Sequence, residues 1–492
     1  MAPLGSLSND HHHLNTSEHE FTTGLSSSSN TRQFRYFSVT PSKAQELISD
    51  VLVEIFLLCV AQDGYSKVQG ISDSLNVSQV CQSWRATALS CPRLWSRLHV
   101  QLADDDMTFR ILIPAIKCWL SRSGDASISV KIEWARNSVT AVELLYVVLA
   151  EFAQCSERIE SIAFVLPEHL CDEALSFVET CESKLHSLSL NLYMSGYRSN
   201  TLLSHSIALR AVLSLLKTLE IKGRWPSTLD AVEKFPSLTK LDLSAYRHPE
   251  SLSQFLEKCP SLAELRYEVY TDVLWSFPAH PIHSQPIRTL PSIRLLDIRT
   301  GGRFSDSIHD LIDGLRMPNL YRLDIDYGDS VDCDFREDWP GLVRFLEVSS
   351  PPLESLYLSN CSFPARAITA CLRLLPNLKN LRCRVSKQVA RALDISPHIA
   401  GHLALCPELE RMILDTPVLA RADAETLAAA LEEVVRSRCA LTIRPPGYFG
   451  LRQLDLPNEF LLRTRFTERK GVKEFVSTGL SIGASGTGKE AI

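Results

Sequence analysis

The chain has little of what catalysis, metal binding or membrane insertion requires. It carries no His-Glu-x-x-His, no Gly-x-Ser-x-Gly and no carboxylate pair set in a recognisable motif. Its 14 histidines show no ligand spacing, and none of its 14 cysteines forms a Cys-x-x-Cys pair. Residues 1–15 have neither a basic stretch nor the apolar run of a secretory signal. The longest apolar run, 51–61, is interrupted by Glu54 and is about half of what a bilayer-spanning helix needs. A net charge of −6 over 492 residues gives no general pull toward nucleic acid or an anionic membrane. These absences predict a soluble protein of the cytoplasm and/or nucleus. They also predict no catalytic residue, no metal, no cofactor, and no nucleic-acid or membrane partner.

One motif runs against that reading. Residues 483–489, Gly-Ala-Ser-Gly-Thr-Gly-Lys, match the spacing of a phosphate-binding loop, but Glu490 stands where a hydroxyl should hold magnesium. The segment reads as a flexible tail. The cluster Arg463, Arg465, Arg469, Lys470 and Lys473 reads as solvated surface.

What the chain does have is length, apolar content and a repeat. A chain this long exceeds one compact core and implies several folding units or a solenoid. Residues 1–42 are rich in Ser, Thr, Asn and His and have little to bury, so a disordered tail is expected. Residues 43–102 hold two helical patterns. The first contains Leu47, Val51, Leu52, Ile55, Phe56 and Cys59, and the second runs from Val77 to Leu89 and stops before Pro92. Residues 103–155 read as connecting helices with a strand at 128–134.

From residue 159 one pattern returns ten times: apolar, two residues, apolar, one residue, apolar. Leu238-x-x-Leu241-x-Leu243 is its clearest copy, Ile159-x-x-Ile162-x-Phe164 its first and Leu409-x-x-Met412-x-Leu414 its last. The mean spacing is about 28 residues, inside the roughly 20–29 of the leucine-rich repeat, which the pattern resembles. Pro236, Pro260, Pro291, Pro318, Pro352, Pro376 and Pro407 precede seven copies and would end the preceding helix. Cys155, Cys181, Cys259 and Cys406 stand just ahead of copies and read as small buried residues. The expected fold class is α/β, with an irregular solenoid over 156–445. Its parallel sheet would lie on the concave side, its helices outside, and 446–492 would be an extension and tail. The concave residues Asp242, Arg266, Asp297, Arg299, Asp324, Tyr357 and Arg382 are the candidates for holding a protein partner. Their mixed charge suits a polar protein surface.

The block 43–102 carries a second resemblance. Val80, Cys81, Trp84, Arg85, Ala88, Leu89, Pro92, Leu94 and Trp95 follow Val-Cys-x-x-Trp-Arg, Ala-Leu and Pro-x-Leu-Trp. This is similar to an F-box-like helical domain, and the whole chain resembles the fungal-type F-box-like proteins with C-terminal leucine-rich repeats. Where the family opens its first helix with Leu-Pro, this chain has Leu47-Ile48. The resemblance implies docking onto the adaptor subunit of a cullin–RING ubiquitin ligase, with the repeats choosing a protein substrate. By the same resemblance Leu47, Leu52, Ile55, Phe56, Val80, Cys81 and Trp84 would form or support the adaptor-facing surface. The alternative is a repeat scaffold that does not dock.

Overall fold

Each copy of the apolar pattern lies on a β-strand, because alternate side chains of an extended chain point to one side. The computed structural model describes residues 47–60, 65–68, 73–103, 106–135, 142–181, 184–193, 207–223, 225–245, 249–270, 287–301, 311–327, 340–360, 363–395, 405–415, 421–440 and 450–485. The chain divides into Met1–Leu47 and Ile48–Ile492, and the fold described is that of the second unit. The tail expected over 1–42 and the phosphate-loop residues 486–489 lie outside the described residues.

Seventeen strands are present among the described residues. They are β1 (Ser66–Lys67), β2 (Arg97–Leu102), β3 (Ile128–Trp134), β4 (Ile159–Pro167), β5 (Ser187–Tyr193) and β6 (Thr218–Gly223). Next come β7 (Lys240–Ala245), β8 (Glu264–Tyr270), β9 (Arg288–Thr289), β10 (Leu295–Gly301), β11 (Leu315–Arg316) and β12 (Arg322–Asp326). The last are β13 (Ser355–Ser359), β14 (Asn380–Arg384), β15 (Arg411–Asp415), β16 (Gln453–Pro457) and β17 (Ser481–Ser485). Fifteen form one parallel sheet in chain order, while β9 pairs with β11 apart from it. The result is a solenoid-like α/β fold. The ten copies of the pattern fall on β4–β8, β10 and β12–β15.

Leu188, Leu190, Leu241, Leu243, Leu323 and Leu381 are buried on one face of the sheet and share a single core with apolar residues of the helices. Burying one such leucine contributes roughly 1.5–3 kcal/mol. A single repeat has no second layer of its own strands, so the gain is realised only when neighbours stack.

The turns into the strands repeat as closely as the strands do. The Lys217 carbonyl accepts hydrogen bonds from the amides of Thr239 and Lys240 at 2.9 and 3.0 Å. Thr239, Ala263, Arg294, Tyr321, Glu354, Lys379 and Glu410 each accept the same double bond from the next repeat. Ahead of these turns the cysteines close helix ends. The Sγ of Cys155 and of Cys259 donates to the carbonyls of Phe152 and Phe255 at 3.3 and 3.5 Å. Burial pushes the thiols of Cys181, Cys259 and Cys406 up to about 12, so they stay protonated and inert.

The sheet runs past both limits that the repeat spacing suggests. Residues 103–155 are not merely a connection, because Ile128, Val130 and Ile132 of β3 are fully buried between β2 and β4. The segment 446–492, expected as extension and flexible tail, adds β16 and β17 to the sheet. Glu410 hands its carbonyl to Arg452 and Gln453 at 2.8 and 3.1 Å, so the repeated turn continues there. Phe460, Phe466 and Val472 enter the core from this segment, and Arg469 pairs with Glu425 and Glu432. Gly483 therefore sits in a strand and not in a loose loop. A Cβ there would clash with Asp455 Oδ1, so the glycine lets that carboxylate lie across the strand.

Before the first long strand lie three helices, α1 (Ser49–Val60), α2 (Asp73–Gln79) and α3 (Gln82–Leu89). The single helix expected over 77–89 is broken at Cys81, which is extended (φ −157°) and accepts the Trp84 amide on its sulfur at 3.4 Å. Trp95 joins this block to the sheet. Its Nε1 donates to the Ala88 carbonyl at 2.8 Å, and its ring meets Trp119 edge-on at 5.0 Å.

Candidate interaction surfaces

The helices leave one face of the sheet open, and the strand register lines up its side chains. Lys67, His99, Lys131, Ala163 and Ser189 stand side by side on β1–β5. The row continues through Glu220, Asp242, Arg266, Asp297, Asp324, Tyr357 and Arg382 on successive strands of the sheet. Six of the seven residues expected on the concave side are thus consecutive rungs of one ladder, about 4.8 Å apart. The seventh, Arg299, lies in the next row between Glu268 and Asp326.

Most of these charges are neutralised within the face. Arg299 grips Asp297 through two hydrogen bonds of 3.1 and 2.9 Å, and Asp297 is 3% exposed. Arg322 does the same to Asp324 at 2.8 Å and lays its guanidinium over the Tyr357 ring at 4.8 Å. Arg382 pairs with Asp415 at 3.1 Å, Arg411 with Asp455 at 3.2 Å, and Glu220 with Lys222 at 2.6 Å. Asp242 is the exception: among the described residues it forms no ion pair and accepts no hydrogen bond. Burial and the neighbouring Glu220 raise its carboxyl above the usual range. Burial also raises Asp324, against the pull of Arg322.

The start of the row was missed by the repeat pattern, which begins only at residue 159. Here Glu133 Oε2 lies 3.0 Å from both His99 Nε2 and Lys131 Nζ. Burial, with Lys131 and Lys67 nearby, lowers the pKa of His99 despite that carboxylate. The available signal was the strict alternation of β3, whose Lys131 and Glu133 face outward.

The second surface is on the helical block. Of the residues expected to form or support it, Leu52 and Phe56 are buried and can only support it from beneath. Trp84 is partly buried and packs its ring 5.0 Å from that of Phe56. Cys81 is half-buried and spent on capping α3, and Ile55 is half-buried. Val80 is exposed; so is Leu47, the one described residue of the N-terminal unit. The outward apolar residues that the resemblance did not place on this surface are Ile48, Val51 and Leu58, the last 72% exposed. With Ile55 they fall at three- and four-residue steps on one side of α1, opposite Leu52, Phe56 and Val60.

Among the described residues no group of three or more His, Cys, Asp or Glu side chains is placed to hold a metal ion. Nor is any described helix long and apolar enough to cross a membrane. No protein-family model matches the chain, and no curated protein matches it.

Proposed function

We propose that the protein is a non-enzymatic substrate receptor of an F-box-type cullin–RING ubiquitin ligase. In this reading the block of α1–α3 is F-box-like and the solenoid is an irregular leucine-rich-repeat array. The observation that carries it is the outward apolar side of α1, Ile48, Val51 and Leu58, backed by a packed core at Leu52 and Phe56. A soluble fold gains nothing from leaving such a stripe in water, and exposed apolar patches of this kind mark contact sites. A ligase adaptor would cover the stripe, while the open face of the sheet holds the substrate. No bond is made or broken by the chain itself; it raises the local concentration of one protein beside another.

A second reading keeps the open face and drops the adaptor. It is favoured by Ile48 standing where the family has proline. Binding of the full chain to a purified ligase adaptor, read by biolayer interferometry, separates the two. Micromolar or tighter binding that is lost in Leu58→Asp supports the receptor. No binding at that concentration leaves the scaffold.

A further inference from the structure

The open face has two charged poles, and the space between them sets a length. Lys67 on β1 and Arg97 on β2 form no ion pair among the described residues, and neither does Asp242 on β7. The charges in between cancel locally, Lys131 against Glu133 at 3.0 Å and Glu220 against Lys222 at 2.6 Å. Strands β4 and β5 put Ser161, Ala163, Val165, Ser187, Ser189 and Asn191 on this face, with Tyr193 at the end of β5. The face therefore offers a cationic end, an uncharged floor and one carboxylate that Lys222 and Arg266 approach without forming an ion pair.

We propose that this face binds an extended segment of a partner protein, with an acidic residue over Lys67 and Arg97 and a basic residue over Asp242. Five to six strand spacings of about 4.8 Å separate the poles, or roughly 24–29 Å. An extended peptide advances about 3.3 Å per residue, so the two charges are about seven to nine residues apart. Ala163 and Ser189, the members of the row on β4 and β5, are small and let the backbone between the poles lie close to the sheet. The inference rests on the open face being the partner-binding surface, and it names what that surface selects.

The test uses the immobilised full chain and a phage-displayed library of random sixteen-residue peptides, sequenced before and after selection. Peptides with an acidic and a basic residue seven to nine positions apart should be enriched at least fourfold over those with other spacings. The variant Lys67→Gln/Arg97→Gln/Asp242→Asn should lose that enrichment while its thermal melt does not fall. Asp242→Asn alone should keep the preference for the acidic residue and lose that for the basic one. No enrichment, enrichment at another spacing, or the same enrichment with the triple variant overturns the proposal. Adaptor binding by the same samples is read separately. Adaptor bound without the peptide pattern sinks this inference and leaves the ligase reading standing; the reverse result sinks the ligase reading alone.

Discussion

Two substitutions on α1, two residues apart, should have opposite consequences. Phe56 is 0% exposed and its ring lies 5.0 Å from that of Trp84, whereas Leu58 is 72% exposed. Phe56→Ala removes a buried ring from a close-packed site, which costs about 3–5 kcal/mol. The lost aromatic contact with Trp84 accounts for roughly 0.5–1.5 kcal/mol of that. Leu58→Asp changes a side chain already in water and should move stability by no more than about 0.5 kcal/mol. On docking the ranking inverts. A central apolar contact replaced by a charge loses about 2 kcal/mol or more, a weakening of roughly thirtyfold. Urea midpoints followed by circular dichroism measure the first effect, and adaptor titration of the folded variants measures the second. If Leu58→Asp unfolds the chain as readily as Phe56→Ala, the inward and outward sides of α1 have been misassigned. If Ile48→Asp and Leu58→Asp together leave docking untouched, the stripe is not the adaptor surface.

Other consequences can be checked on the folded chain alone. Arg438 is fully buried and donates to the carbonyls of Leu393, Leu405 and Cys406 at 2.9, 2.7 and 3.0 Å. Arg438→Met strands those acceptors and should lower stability by about 3 kcal/mol or more in urea titration, with Lys restoring only part because one ammonium cannot fork three ways. His99 has a depressed pKa, so the native state holds fewer protons than the unfolded state below about pH 6.5. Stability should therefore fall as the pH drops through that value toward 5, and His99→Gln should flatten that part of the profile. Asp242 has a raised pKa, so its contribution falls as the pH rises through the carboxylate range. Asp242→Asn should stabilise the fold slightly at pH 7, by less than about 1 kcal/mol, and have no effect in strong acid. Cys59 and Cys118 are exposed and should react with a thiol reagent in the native state, whereas Cys181, Cys259 and Cys406 should react only after denaturation.

The repeating strand is legible in the amino-acid order alone, because alternation on an extended chain is local and a proline ahead of it stops the preceding helix. Leu238, Leu241 and Leu243 could be read as one buried set without knowing their neighbours. The same order also placed Asp242, Arg266 and Asp297 outward, since outward is simply the other parity. Which of these charges are spent depends on the fold. Arg382 meets Asp415, and Arg411 meets Asp455, across strands tens of residues apart, and nothing local pairs them. The limits of the array also needed the fold. Strand β16 carries the spacing as Leu451-x-x-Leu454-x-Leu456, beyond the regular interval after the tenth copy, and β2 carries it only with Trp95 in the first place; hydrogen bonding to β3 and β15 makes them strands of the same sheet. On α1 the sequence was ambiguous for a physical reason. Leu52 and Phe56 on one side and Ile48, Val51 and Leu58 on the other are all apolar, so periodicity gives the helix but not its inward side. Packing against α2, α3 and the turn Pro92–Trp95 chose Leu52 and Phe56, and left the other side in water.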